Sequence, residues 1–214
     1  MSRRRKYGIA SLLAIVVLLV IALPAIRHSI LRAAGRVLVV SDPVGSADVI
    51  VISGEAEEVG ELEASDLVHR GVANTVAVFA YVPDAVQSEF LRRGVAYENT
   101  ATRSVRLLKA LGVKNVVEIP GNVKGTEHEG PLLARWCDEQ RFGSVVVVGL
   151  PDHSRRLQRV LHRSLKGHRT TLIVCPARYA LFDPDRWWES RDGTRIEIEE
   201  LQKLLLDIMR HPLS

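Results

Sequence analysis

Short runs of valine, isoleucine and leucine alternate along the chain with longer stretches in which apolar residues recur at helical spacing. Nearly continuous apolar runs of this length are typical of strands buried on both faces, as in a parallel sheet covered by helices. Five runs predict strands, and a weaker sixth over 36–41 predicts either a strand or a lead into the domain. The five cover residues 48–54, 74–80, 115–121, 144–150 and 170–176.

Amphipathic patterns fill the intervals between these runs and predict helices. They cover residues 56–70, 84–93, 99–111, 126–141 and 153–166. The alternation predicts an α/β fold with a Rossmann-like open, mostly parallel sheet and helices on both faces. An apolar content of 47% with 25% charged residues suits one well-buried domain, and an aromatic content of 5% disfavours a β-sandwich.

The N-terminus carries a segment that can cross a bilayer. Residues 7–26 are uncharged, and a basic tail over 1–6 precedes them. We expect one transmembrane helix over 7–26, a linker over 27–46 and an α/β domain over 47–214. A cleaved signal peptide is the alternative. By the positive-inside rule, we expect a single-pass protein of the inner (plasma) membrane whose domain lies outside the cytoplasm, in the periplasm.

The net charge of +4 comes entirely from the basic tail, because the rest of the chain has equal numbers of basic and acidic residues. A nucleic-acid-binding domain would carry its own basic patch, so no nucleic-acid partner is expected. Cys137 and Cys175 could pair in an oxidising compartment. Two buried free thiols are the favoured interpretation.

Polar residues follow several of the predicted strands where each strand ends. In an open α/β sheet the ligand crevice lies outside the carboxyl ends of the strands, where the strand order reverses. We therefore expect the site to form from residues that come just after the strands. These positions hold Ser53, Gly54 and Glu55; Ala80 and Tyr81; Gly121, Thr126 and Glu129; and Asp152, His153 and Arg156.

The predicted helix after the fourth strand begins with His153 and is rich in arginine. His153 is predicted to point at the rim of the sheet instead of the core. With Arg156 and the N–H groups of the helix N-terminus, it would form a site for phosphate or carboxylate. The alternative is that Asp152 caps the helix and the arginines are ordinary surface. A solvated face is expected for Arg155, Arg159 and Lys166.

The stretch GTEHEG, residues 125–130, allows two interpretations. Thr126 and Glu129 have the spacing of a capping box, which needs no function, or both belong to the crevice. Glu127, His128 and Glu129 could bind a metal, but no second cluster of fixed spacing accompanies them, so no metal site is expected. The chain also lacks the dinucleotide, P-loop, serine-hydrolase and zincin motifs, which leaves the cofactor unknown.

The C-terminal stretch RIEIEELQKLLLDIMRH, residues 195–211, predicts a helix with one apolar stripe. The stripe is expected to pack on the domain, with contact to a membrane or a second subunit as the alternative. Trp187 and Trp188 are expected to cover the core. The stripe consists of Ile198, Leu201, Leu204, Leu205 and Ile208.

Four segments, in order, resemble the YdcF/SanA/ElyC family of membrane-anchored proteins. They are ADVIVISG, LGVKNVVEIPGNVKGTEHEG, VVVVGLPDHSRR and FDPDRWWESRDGTRIEIEELQKLLL, within residues 47–206. The most specific parts are the strand followed by His153 and Arg156, and the tandem tryptophans followed by Arg191, Glu200 and Lys203. The resemblance implies a Rossmann-like domain that faces the periplasm and acts in cell-envelope integrity, or in peptidoglycan and carrier-lipid metabolism.

Two functional hypotheses follow. The first is an enzyme of envelope or peptidoglycan metabolism that binds or processes a phosphate-bearing ligand, either lipid-linked or nucleotide-like. The second is a non-catalytic envelope factor that binds such a ligand, or a partner protein, through the same crevice. The expected partners are the membrane, through the N-terminal helix, and an anionic small molecule or lipid-linked substrate. The oligomeric state is not predicted.

The candidate residues divide by role. The candidate catalytic residues are His153, Glu129 and Glu55. The candidate ligand-binding residues are Ser53, Gly54, Thr126, Asp152 and Arg156. Two of them depart from the family that the chain resembles, since Glu129 stands in place of Asn and Glu55 in place of a second Gly. These departures favour the non-catalytic hypothesis, whereas the combination of histidine and carboxylates favours the enzyme.

Overall fold

The computed structural model describes residues 23–40 and 42–212 of the 214-residue chain. Within them the chain forms five strands and seven α-helices, with short 3-10 segments at Gly54–Ala56 and Trp187–Glu189. The strands are β1 Val49–Ile52, β2 Thr75–Tyr81, β3 Asn115–Val123, β4 Ser144–Gly149 and β5 Thr171–Pro176. The helices are α1 Pro24–Leu38, α2 Glu57–His69, α3 Ala85–Arg92, α4 Thr100–Ala110, α5 Thr126–Gln140, α6 Ser154–Leu165 and α7 Arg191–Arg210.

All five strands run parallel in one sheet of order β3-β2-β1-β4-β5. The order reverses between β1 and β4, which are hydrogen-bonded neighbours at the centre of the sheet. The predicted α/β fold with a parallel sheet is therefore confirmed. Five of the predicted strands and the five predicted helices between them end within two residues of the observed bounds.

The strand side chains alternate between two apolar cores, one on each face of the sheet. In β1, Val49 and Val51 face the core that α5 and α6 cover. Ile50 and Ile52 face the core that α2 and α4 cover. All four residues of β1 are buried, as the continuous apolar run predicts.

The two cysteines lie on opposite sides of this sheet. Cys137 of α5 belongs to one core and Cys175 of β5 to the other, and both are buried free thiols. Since the sheet separates them, they cannot form a disulfide within the domain. The favoured interpretation of two free thiols is confirmed.

The N-terminal part of the chain departs from the predicted organisation. Residues 36–38 complete α1 and Val39 leaves it in an extended conformation, so the weak run over 36–41 is not a strand of the sheet. Helix α1 also occupies the first part of the segment expected as a linker. Most of the predicted transmembrane helix, residues 7–22, lies outside the described residues. Within 23–40 and 42–212, no helix is both long and apolar enough to cross a membrane.

Helix α1 packs on the domain through a third, small core. Leu38, Phe182 and Leu204 are buried in it, and Trp187 packs against them. The indole Nε1 of Trp187 also donates to the carbonyl oxygen of Leu31 at 2.8 Å. Trp187 therefore covers core residues, as expected, and it ties α1 to the segment before α7.

Helix α7 turns a largely acidic face toward the domain, which includes only part of its predicted apolar stripe. Its buried residues are Gly193, Glu197, Glu200, Leu204 and Asp207. Of the predicted stripe, Ile198, Leu205 and Ile208 are 51%, 58% and 41% exposed. Leu204 and Leu201 pack in the third core, so the prediction of a packed stripe holds for two of its five residues. It fails for the other three, because apolar periodicity does not register a face that is buried through polar and charged side chains.

The arginines of α6 bind the elements around it and do not form the predicted solvated face. Arg155 donates to two carbonyl oxygens at the end of α1. Arg159 pairs with the buried carboxylate of Asp207 at 2.5 Å, and Arg163 reaches the same carboxylate at 3.0 Å. Lys166 is the one residue of the predicted solvated face that is exposed; Arg155 and Arg159 are half-buried. The arginine row therefore holds α1 and α7 against α6.

We expect Arg159→Ala to lower the free energy of unfolding by about 1–3 kcal/mol, because it removes one partner from a carboxylate that is buried. The control Arg106→Ala removes an exposed pair with Glu98 and should change it by less than about 1 kcal/mol. Denaturant unfolding of the full-length protein in detergent micelles, followed by circular dichroism, measures both. Equal effects would contradict a role of Arg159 in docking α7.

Candidate functional site

The crevice lies at the carboxyl ends of β1 and β4, where the strand order reverses. Residues 53–55 leave β1 at this edge, and residues 150–153 lead from β4 into α6. Helix α5 begins at the same edge, and α7 crosses it with its acidic face inward. The structure thus brings together candidate residues that are about 100 positions apart in the sequence.

His153 occupies the centre of the crevice and is completely buried. Its Nδ1 lies 3.6 Å from Glu55 Oε2 and 3.5 Å from Glu200 Oε2, and it has no hydrogen-bond partner. Its Nε2 lies 3.4 Å from the hydroxyl of Thr126. His153 therefore lies at the edge of the sheet and outside the apolar cores, as expected, but neighbouring elements bury its imidazole completely.

Thr126 and Glu129 belong to the crevice and do not form a capping box. The N-cap position of α5 is Gly125, which has no side-chain cap hydrogen bond. The Thr126 hydroxyl lies 3.5 Å from Glu55 Oε1 as well as near His153, and both Thr126 and Glu129 are buried. The crevice interpretation of GTEHEG is the one that the structure supports.

Glu129 is held by the turn after β1 and by the end of β2. Its Oε1 accepts hydrogen bonds from the Gly54 N–H at 3.2 Å and from the Tyr81 hydroxyl. Its Oε2 is buried without a partner. Burial raises the pKa of Glu129, and burial beside this carboxyl also raises the pKa of Tyr81. The raised pKa extends the pH range over which the Glu129 carboxyl holds a proton that it can donate.

Glu200 joins the crevice from α7 with two cations. Arg156 donates to Glu200 Oε2 at 3.2 Å and to Glu55 Oε1 at 3.4 Å, and Lys203 binds Glu200 Oε1 at 2.7 Å. Burial opposes ionisation of Glu200, but His153, Lys203 and Arg156 outweigh it and lower its pKa to about 2. Arg156 is thus already engaged by two carboxylates, whereas the sequence suggested an arginine open to an external anion.

Asp152 and Ser53 lie at the border of the crevice. Asp152 is buried but does not cap α6, whose N-cap position is His153 and carries no side-chain cap bond, so the capping alternative is wrong. Burial raises the pKa of Asp152. Ser53 is completely buried, and its hydroxyl has no partner. It lines a cavity of about 40 Å³ together with Glu61, Thr100 and Ser104, on the α2 and α4 side of β1.

The structure offers a set of metal-ligand atoms that differs from the one considered in the sequence. Glu127, His128 and Glu129 do not converge, since Glu127 reaches outward to Arg163 while Glu129 points at Gly54. Within the described part of the chain, one atom each from Glu55, His153 and Glu200 lies within 4.8 Å of the others. We call these three residues the Glu–His–Glu cluster.

Three residues of the crevice are not among the candidate catalytic and ligand-binding residues that the sequence predicts. Tyr81 is among the positions that follow strands, but its role depends on a contact with Glu129 that spacing does not reveal. Glu200 and Lys203 come from α7, far from any strand end. The one signal that pointed to them is the resemblance to the YdcF/SanA/ElyC family. The crevice brings together five of the candidate residues, as expected: His153, Glu55, Thr126, Glu129 and Arg156.

The chain matches no protein-family model, no curated protein and no solved structure.

Gly54 allows the turn after β1 to approach β2, because a Cβ at this position would overlap the Tyr81 hydroxyl and ring. We expect Gly54→Ala to lower the free energy of unfolding by about 1–3 kcal/mol, since the Tyr81 ring must move and its hydroxyl bond to Glu129 is lost. The control Gly45→Ala, in open space, should change it by less than about 1 kcal/mol. Thermal and denaturant unfolding of both variants checks this; equal stability of the two would contradict the close approach.

Glu197 on α7 is completely buried, and neither of its carboxylate oxygens has a partner. Burial, followed by the charge of Asp152, raises its pKa from 4.5 to about 7. A carboxyl with a raised pKa destabilises the folded protein as the pH rises from its unfolded value through its folded value. Its cost is therefore absent well below pH 4.5 and complete above pH 7.

We expect Glu197→Gln to gain stability relative to the parent protein by about 2–3 kcal/mol between pH 4.5 and pH 8, because glutamine cannot ionise. The exposed Glu199 supplies the control, and Glu199→Gln should show no such gain. Unfolding free energies of the three proteins at a series of pH values test this. A flat difference for Glu197→Gln would show that the carboxyl is not buried in its charged form.

Proposed function

We propose that the crevice binds a phosphate-bearing ligand and hydrolyses it in cell-envelope metabolism. The single observation that carries the proposal is the completely buried His153, which is surrounded by Glu55, Glu200 and Thr126 at the strand-order reversal. Buried ionisable groups that face one another in a crevice are expensive to fold around and are concentrated at functional sites. The resemblance to the YdcF/SanA/ElyC family supports the envelope setting.

The proposed roles follow from the contacts. The Glu–His–Glu cluster polarises a water molecule, whose oxygen bonds to phosphorus while the bond from phosphorus to the leaving oxygen breaks. The cluster takes the proton of the water and later releases it to solvent, and the carboxyl of Glu129 gives its proton to the leaving oxygen. Solvent then returns a proton to Glu129. The side chain of Glu55 is 40% exposed, so the ligand reaches the cluster from the solvent side of Glu55.

Affinity for phosphate has two sources in the crevice. Helices α5 and α6 both begin at the crevice. Helix N-termini attract anions through their unpaired N–H groups. Arg156 and Lys203 supply two positive charges beside them. Because both cations are paired with carboxylates, a phosphate group must compete for them, which favours a ligand that binds through further contacts such as a lipid chain or a nucleoside.

The proposed location is the membrane, with the domain outside the cytoplasm. The basic tail and the uncharged residues 7–26 support it. Exposed apolar side chains at the start of α1 are consistent with a nearby lipid surface, since Leu23, Ile26 and Ile30 are 54%, 37% and 52% exposed. We expect α1 to follow the anchor directly and to hold the domain close to the bilayer.

Hydrolysis by the full-length protein in detergent micelles tests the proposal. The substrates offered are a polyprenyl pyrophosphate and nucleoside diphosphates, and released phosphate is measured. We expect His153→Asn to lower the rate by at least about 100-fold, as is usual for loss of an acid–base group. The matched control is His162→Asn, an exposed histidine on the same helix, which should keep the parent rate.

The outcomes separate the two hypotheses. Equal rates in the two histidine variants would exclude the crevice as the site of hydrolysis. Ligand binding that depends on His153 without any phosphate release would overturn the enzyme and support the non-catalytic envelope factor. Circular dichroism of each variant shows whether a loss of rate comes from a loss of fold.

A further inference from the structure

The Glu–His–Glu cluster has the geometry of a metal site. The candidate ligand atoms are Glu55 Oε2, His153 Nδ1 and Glu200 Oε2, and the imidazole nitrogen lies 3.6 Å and 3.5 Å from the two oxygens. Atoms about 2.0–2.2 Å from a tetrahedral metal ion stand about 3.3–3.6 Å apart. The two separations from the imidazole nitrogen therefore match those of a tetrahedral site, and one ligand atom of each residue lies within 4.8 Å of the others.

The buried nitrogen of His153 is the second, independent observation. His153 is completely buried, and its Nδ1 has no hydrogen-bond partner although two carboxylates are near. A buried polar atom without a partner is unfavourable, because it has lost its hydrogen bonds to water. An ion bound to Nδ1 would offset this cost, because the nitrogen lone pair would then have a ligand bond.

The surrounding groups hold the three ligands in place. Metal-binding histidines usually donate the second ring N–H to a fixed acceptor, and here Nε2 faces the Thr126 hydroxyl at 3.4 Å. Lys203 holds the other oxygen of Glu200 at 2.7 Å. Arg156 lies 3.4 Å from the other oxygen of Glu55. Each ligand is therefore oriented from outside the cluster.

We propose that Glu55, His153 and Glu200 bind one divalent transition-metal ion of the zinc type. An imidazole with two carboxylates and no thiolate suits Zn²⁺ or Mn²⁺, and zinc binds such ligands more tightly. This deepens the proposed function, because three protein ligands leave a fourth position in which a bound water is polarised. It also departs from the sequence analysis, where no metal site is expected.

Charge balance explains why a metal-loaded crevice attracts phosphate. Glu55 and Glu200 pair with Arg156 and Lys203, and Lys203 also pairs with Glu199, so these five side chains carry one negative charge together. A divalent ion changes the total to one positive charge. The ion also competes with Arg156 for Glu200 Oε2, where the present contact of 3.2 Å is longer than the usual 2.7–2.9 Å of a strong charged hydrogen bond.

The test is metal binding by the untagged full-length protein in detergent micelles, first stripped with a chelator. Zn²⁺ is titrated by calorimetry, and the bound metal is counted by elemental analysis after dialysis. Co²⁺ is then substituted, because its visible absorption reports a four-coordinate site. We expect one ion per chain and the absorption bands of a tetrahedral cobalt ion.

Variants locate the ion. Glu200→Gln and His153→Asn should each lower zinc affinity at least 10-fold, and Thr126→Val should lower it about 10-fold by freeing the imidazole ring. The matched control is Glu197→Gln, a buried glutamate one turn earlier on α7, which should bind zinc like the parent protein. No bound zinc, or equal affinity in Glu200→Gln and Glu197→Gln, would overturn the proposed metal site.

Failure of the metal site and failure of the proposed function are distinguishable, because zinc binding is measured without any substrate. One bound ion at the cluster, with no phosphate released from any substrate, supports the metal site and overturns hydrolysis. Phosphate release that survives complete chelation overturns the use of the ion in hydrolysis and leaves hydrolysis itself standing. Loss of phosphate release on chelation and its return with zinc support both.

Discussion

The pairing of β1 with β4 is the constraint on which the site depends. β1 has only four residues, all buried between two helical layers, so that polar side chains have no place along it. The polar side chains lie instead at the carboxyl end of β1, where residues 53–55 meet the turn after β4. Because the strand order reverses there, α5 and α6 begin on the same edge and add Thr126, Glu129 and His153.

Attachment of α7 through charge completes the crevice. Asp207 binds arginines of α6, and two turns earlier Glu200 binds Arg156. One face of α7 therefore forms ion pairs with one row of arginines on α6. Burial of these acids is unfavourable on its own, and their partners offset it. An apolar interface would tolerate sliding of the helix, whereas these pairs set one register. That register puts Glu200 3.5 Å from His153.

The sequence predicts the layers of the fold well, because buried strands and amphipathic helices leave a periodic signal. The rule that ligands lie beyond the strand ends also finds His153, Glu129 and Glu55, since topology alone brings them together. The same reasoning fails at α7. An acid buried by an ion pair, such as Glu200, looks like any surface acid in one sequence, and the partner that buries it lies 44 positions away. The engagement of Arg156 is hidden for the same reason.

The separation of the two thiols by the sheet has a consequence for redox chemistry. Burial raises the pKa of Cys137 and of Cys175 to about 11, so at neutral pH about one in ten thousand is a thiolate. Oxidants and disulfide exchange act on the thiolate. The folded domain therefore presents almost no thiolate to oxidants, and its stability does not depend on a disulfide between these two residues.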